Sequence, residues 1–222
     1  VVLRLQRSEE NLKSWIKYRS DIWRYDGAEE PLRRMANTNS NLYAYRFDWD
    51  EQNNSSFAGN YQLFVGAAHG LEIPFLTGDF DLGPITFYIK PFMFPDDSDE
   101  GRLALSDLMM TYWANIAKYG NPNEFVKGPK WEKFTQENNQ LLILDNPTAN
   151  LVEMRTIPVS KDDLLSQIEA DSALEIKERC LIGWIAARNF QEDARPQPPF
   201  NFCSNFTEED LYKLRNLTEG RD

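Results

Sequence analysis

Apolar and polar positions alternate in distinct ways along this chain. In residues 9–25, Leu12, Trp15, Ile16 and Ile22 are apolar points in a polar background, which predicts a helix. "AEEPLRRMA" predicts a second helix, with Pro31 in its first turn, where a missing N–H costs nothing. In "NLYAYRFDWD" the period drops to two: Tyr43, Tyr45, Phe47 and Trp49 share one face, and Ala44, Arg46 and Asp48 the other. That alternation predicts a strand covered on its aromatic side. "WDEQNNSSFAGN" reads as a polar turn-rich loop, and the apolar run "YQLFVGAA" that follows is ambiguous between a strand end and a buried loop. Gly78 to Pro95, rich in Gly, Pro, Phe and Asp, reads as an irregular loop lying against the body of the protein.

The clearest helical pattern follows, with Leu105, Leu108, Met109, Tyr112, Trp113, Ile116 and Ala117 at helical spacing. Asp97 and Glu100 have the spacing of a capping box; Gly120 ends the helix and Pro122 prevents its resumption. "QLLILD" and "NLVEMRTI" predict two strands joined through "NPTA" as a hairpin. Ser160 with Asp163, and Ser172 with Glu175, predict two capped helices over residues 161–189 with a break near Ala170. "RPQPPF" is a stiff linker, and residues 201–222 are a polar tail with room for one short helix. Helices and strands are mixed, without the regular alternation of a complete doubly wound sheet.

The 222 residues, 41% apolar and 13% aromatic, suffice for a substantial core. A net charge of −11, from 35 acidic against 24 basic residues, argues against nucleic acid or an anionic membrane as partner. No apolar run is long enough for a membrane span. The start lacks the features of a secretory signal, but a trimmed chain would lack them too, and a first residue of valine hints at something removed upstream; secreted and cytoplasmic settings both stay open. Cys180 and Cys203 either close one local loop or remain reduced. Glycosylation acceptor sequences occur at Asn53, Asn54, Asn205 and Asn216.

The only histidine, His69, sits in "FVGAAHGLEIPF". Gly66, Ala67 and Ala68 take little room and Gly70 permits a sharp turn, so this loop can project one imidazole into a cleft. A histidine titrating near neutrality suits general-base work, but on an ester it needs a nucleophile to deprotonate and a partner to fix its tautomer. On spacing alone, a structural role for His69 is the more common outcome. One histidine and two distant cysteines match no zinc spacing, and the chain holds no Gly-x-Ser-x-Gly elbow, phosphate loop or dinucleotide fingerprint, so no metal or cofactor is expected.

Four segments in order alter that balance. "GAAHGLEIPFLTG", "MMTYWANIAKYGNPN", "NLYAYRFDWD" and "KWEKF" together resemble the histidine segment, the following helix with its Gly-Asn-Pro-Asn end, the preceding strand and the Trp-x-x-Phe of the type-B carboxylesterase and cholinesterase family of α/β-hydrolases. The resemblance covers roughly residues 18–185. It implies an α/β fold, namely the C-terminal part of an α/β-hydrolase with an incomplete sheet and flanking helices. It assigns residues 1–195 to that portion of a carboxylesterase domain and 196–222 to a Pro-rich linker and tail. It also implies a serine ester hydrolase acting on a small-molecule ester, in which His69 is the triad histidine and Glu72 a supporting carboxylate, with a salt bridge or cap as the plainer reading of Glu72. The aromatics between Phe80 and Phe94 would stand beside the cleft, although core packing is their commoner role.

A complete member is more than twice this length, and its nucleophile elbow, oxyanion loop and triad acid would precede residue 1. The resemblance therefore implies a fragment, inactive alone, whose partner is the N-terminal portion of the same hydrolase on the same or a second chain. Without it, torn sheet edges predict an insoluble or molten piece. Animal members commonly bridge the C-terminal helix to the loop before the histidine. Cys180 is near that helix position, but no cysteine lies between residues 1 and 69, which leaves a Cys180–Cys203 bridge as the alternative. Members of the family also serve in adhesion with triad residues lost, so a non-catalytic interaction module is the competing implication.

Overall fold

The computed structural model describes residues 9–39, 41–52, 65–81, 83–156, 161–190 and 200–219. They fall into two compact units, one formed by residues up to Arg34 together with those from Pro158 onward, the other by Met35–Ile157.

The first unit is helical. α1 (Glu9–Arg24) runs through a π-helical turn, Tyr25–Glu29, into α2 (Glu30–Ala36); Pro31 lies in the first turn of α2, as its sequence predicts. α6 (Lys161–Ala170), α7 (Ile176–Phe190) and α8 (Glu208–Glu219) complete the unit. Trp15, Tyr18 and Ile22 on α1 enter one core with Leu164, Ile168, Trp184 and Leu211. The expected break between α6 and α7 is present, but Ser172 and Glu175 do not form the cap. Glu178 does: its carboxylate accepts the Glu175 N–H at 2.8 Å and the Asn11 amide at 2.7 Å. A buried glutamate that serves two donors outcompetes an exposed serine. Asp171 in the break accepts from Ser14 (2.7 Å), the Ala173 N–H (2.8 Å) and Tyr18 (2.9 Å). Burial raises its pKa, and these hydrogen bonds, Ser14 first, outweigh that and hold it below the usual carboxylate range. Ser160 lies outside the described residues, as do residues 191–199 of the linker.

Cys180 and Cys203 form a disulfide, with Cα atoms 5.6 Å apart and both residues fully buried. It fastens the start of the tail to α7, and Phe200 packs so closely on Gly183 that a Cβ there would lie 2.4 Å from the ring.

The second unit holds the sheet. β1 (Tyr45–Phe47) pairs in parallel with β2 (Gln140–Leu144), which pairs antiparallel with β3 (Glu153–Thr156). The register sets Tyr45 opposite Leu142 and Leu142 opposite Met154. The expected strand at "NLYAYRFDWD" is shorter than its alternation suggested, although backbone bonds continue beyond it: Leu142 donates to Ala44 and Asp48 to Leu144, both at 2.9 Å. Its aromatic side is unevenly covered, Trp49 fully buried and Tyr45 39% exposed, and Ala44 on the other side is buried too.

α3 (Glu72–Thr77), α4 (Thr86–Met93) and α5 (Asp99–Tyr119) complete this unit. The segment Gly78–Pro95 is thus not wholly irregular: α4 forms despite Pro91, which lies near its C-terminal end. Because Pro91 is late in a short helix, only one intrahelical donor is lost, while the Phe94 N–H reaches Lys90 at 2.7 Å. The Asp97/Glu100 capping box is absent too. Residues Asp96–Ser98 form a 3-10 turn, and Ser98 at the cap turns its hydroxyl back onto the Pro95 carbonyl (2.8 Å). The other end matches its sequence: Gly120 adopts a left-handed conformation and its N–H returns to Ile116. Asn123 then exchanges bonds with the Trp131 backbone, and the Trp131 indole donates to the Ala44 carbonyl at 2.9 Å. The "GNPN" stretch and the tryptophan of "KWEKF" thereby fix α5 against the start of β1.

Candidate functional site

The carboxyl end of β1 leads, by way of residues 53–64 outside the described set, to a turn over Val65–Leu71 and then to α3. His69 lies in this turn and is exposed. Two glycines shape it, Gly66 at φ 50° and Gly70 at φ 89°, values that β-carbon-bearing residues rarely adopt. A Cβ at Gly70 would meet nothing within 4 Å, so the need for glycine there is purely conformational.

The turn is tied at both ends. Gln52, itself 5% exposed, donates its side-chain amide to the Gly66 carbonyl at 2.9 Å. Glu72, the first residue of α3, accepts the Gly70 N–H at 2.9 Å. Backbone bonds from Leu71 to Ala68 (3.1 Å) and from Ile73 to Gly70 (3.3 Å) close the remaining turn. His69 and Glu72 are therefore brought together through Gly70: the carboxylate holds the peptide that directly follows the imidazole. Tyr45 is also close to Glu72. Burial raises the Tyr45 phenol above its ordinary value, and the negative charge of Glu72 raises it further.

α3 is anchored so that the turn has a fixed base. Phe75 is fully buried, and its carbonyl accepts from Ser106 on α5 at 2.8 Å. Its ring meets Phe47 and Trp49 at 5.2 Å and Phe80 at 5.1 Å, edge-on or tilted. Phe80 and Phe94 pack at 5.1 Å, and Arg102, 5% exposed and paired with Asp99, lays its guanidinium 4.1 Å from the Phe80 ring. Phe80 and Phe94 are thus part of the core that supports α3, in line with the plainer of the two sequence readings.

Sequence reasoning missed Asp145. It follows β2 at the same carboxyl edge of the sheet, near Asp48, Asp50 and Glu51 after β1. Burial, opposed by the Asn146 N–H (2.7 Å) and reinforced by those acids, Asp50 first, raises it to about 6. Its signal was a carboxylate ending a wholly apolar strand, "LLILD".

Among the described residues no cluster of three or more His, Cys, Asp or Glu side chains could hold a metal ion, and no helix is long and apolar enough to cross a membrane. Two cavities, about 580 and 260 Å³, are formed by residues of the helical unit, and neither is lined by a residue of the His69 turn.

The model of the carboxylesterase family matches residues 3–161. The chain belongs to the carboxylesterase family. It is 32% identical to acetylcholinesterase of Gallus gallus over 103 residues, 46% of this chain and 11% of that protein. It is 40% identical to neuroligin-3 of Macaca mulatta over 68 residues, 31% of this chain and 30% of that sequence, and likewise to neuroligin-3 of Homo sapiens, where the match covers 7% of the relative. The chain thus spans less than a third of the curated relatives it matches. No solved structure matches it. The three-stranded mixed sheet with its helices is compatible with part of an α/β-hydrolase fold.

Proposed function

We propose that this chain is the C-terminal portion of a carboxylic ester hydrolase and carries its catalytic histidine, His69. The observation that carries the reading is the built turn. A glycine-shaped loop, braced by Gln52 on one side and Glu72 on the other, presents one imidazole at the carboxyl end of a parallel strand pair. Open α/β sheets gather their ligand sites at the carboxyl ends of strands.

In this reading His69 takes the proton of a serine hydroxyl as that oxygen attacks the ester carbonyl, and returns it to the leaving alcohol. The serine, the oxyanion donors and the triad acid come from the N-terminal portion of the hydrolase. Among the described residues β1 pairs only with β2, so its other edge is open to a further strand, which fits a sheet continued by that portion. Exposure of His69 fits as well, because the opposite wall of the cleft would belong to the same absent part. Glu72 is a positioning residue: it holds the Gly70 peptide and through it the imidazole.

Similarity to neuroligin-3 beside acetylcholinesterase keeps a non-catalytic interaction module as the second reading. A fluorophosphonate probe separates the two. Applied to the protein carrying both portions, it labels one serine, and His69→Ala abolishes the labelling. Absence of labelling in the unaltered protein favours the interaction module.

A further inference from the structure

We infer that Asn205 is an N-glycosylation site and that this chain matures in an oxidising secretory compartment. Two independent observations meet there. The first is the bridge between Cys180 and Cys203, both fully buried in the core of the helical unit. Disulfides of this structural kind form and persist in oxidising compartments and are rare where thiols are kept reduced. The second is the acceptor sequence Asn205-Phe206-Thr207, which starts two residues after Cys203. Asn205 is exposed, on the turn between the 3-10 segment Asn201–Cys203 and α8, where a bulky polar group meets water and displaces no core side chain. The flanking backbone is already satisfied, Ser204 donating to Asn201 and Phe206 to Cys203. Asn216 has the same acceptor pattern and is also exposed, but it lies within α8.

The transfer is chemically complete with one co-substrate, a lipid-diphosphate-linked oligosaccharide. The Asn205 side-chain nitrogen bonds to the anomeric carbon of the first sugar. The bond from that carbon to the diphosphate oxygen breaks, its electron pair leaves on the lipid diphosphate, and the amide gives up one proton.

The fold also sets the order of events. Thr207, whose hydroxyl the acceptor sequence requires, is occupied once α8 forms. It donates to Asp210 at 2.6 Å, and its own N–H reaches the same carboxylate at 3.0 Å. The Asp210 N–H returns to the Thr207 hydroxyl at 3.2 Å. Glycosylation therefore precedes capping of α8, and the finished helix leaves the sugar in solvent.

The test uses protein from its natural source. Digestion under non-reducing conditions, followed by peptide amidase treatment in heavy-oxygen water, converts a glycosylated asparagine into a tagged aspartate. The expected result is tagged aspartate at position 205 in a peptide linked through Cys203 to the peptide of Cys180. In secretory expression of the full chain, Asn205→Gln and Thr207→Ala each lose one glycan increment of mass, and Thr207→Ser keeps it. Recovery of position 205 only as unmodified asparagine from the natural source overturns the inference, and so does recovery of both cysteines as thiols.

Discussion

Glu72 bears on His69 through the backbone, because its carboxylate accepts the N–H of the residue after the imidazole. A hydrogen bond to a charged acceptor contributes about 1.5–3 kcal/mol. Glu72→Ala is expected to lower kcat of the complete hydrolase about tenfold or more with KM little changed. Glu72→Gln keeps an acceptor oxygen and is expected to recover most of the loss; equal losses in both variants would show that the charge, not the geometry, is what matters. Asp145 makes a separate prediction. Its pKa is about 6 in the fold, above the value of an unperturbed carboxyl, so the folded state binds the extra proton between the two values. Stability from this group is present below the unfolded value and lost as pH rises toward about 6, on the order of 2 kcal/mol in all once solvent screening of this half-buried carboxyl is discounted. Asp145→Asn is expected to raise the urea midpoint at neutral pH and flatten that decline. A midpoint that falls at pH 7 would contradict it.

Among elements, those with strong periodicity were legible. α5 with its Gly120 stop, the β2–β3 hairpin and the interruption between α6 and α7 all follow from apolar spacing and turn residues. What failed was local chemistry decided by distant partners. Glu178 displaced the expected Ser172/Glu175 cap because Asn11, remote in sequence, also needed an acceptor. α4 was hidden by Pro91, which reads as a breaker until its late position in the helix is known. For the site, the sequence showed the residue types and the glycines, and the family resemblance supplied their roles. Gln52 as a brace was not visible, since its contact with Gly66 depends on the path of the intervening loop. Two predictions belong here. Gly183→Ala places a methyl 2.4 Å from the Phe200 ring and is expected to destabilise the helical unit by about 1–3 kcal/mol in chemical denaturation. Replacing Cys180 and Cys203 together by serine opens a loop with a sequence separation of 23 and is expected to cost about 2–4 kcal/mol; a change below that range would mean the tail is held by packing alone.

At the scale of the whole molecule, the proposed reading makes the chain one part of a larger hydrolase. Its matched relatives extend well beyond it, and β1 ends the three-strand order with one side unpaired among the described residues. A chain of this composition that lacks its complementary strands is expected to expose apolar sheet surface, and coexpression with the N-terminal portion is expected to raise its soluble yield and suppress binding of a hydrophobic dye. The central claim, however, concerns one imidazole. The direct measurement is kcat for a short-chain nitrophenyl ester in the protein carrying both portions, compared with its His69→Ala variant at equal folded concentration. The account predicts a fall of about 10³-fold or more. A variant that retains activity within a few-fold of the parent would contradict it and remove His69 from the chemistry.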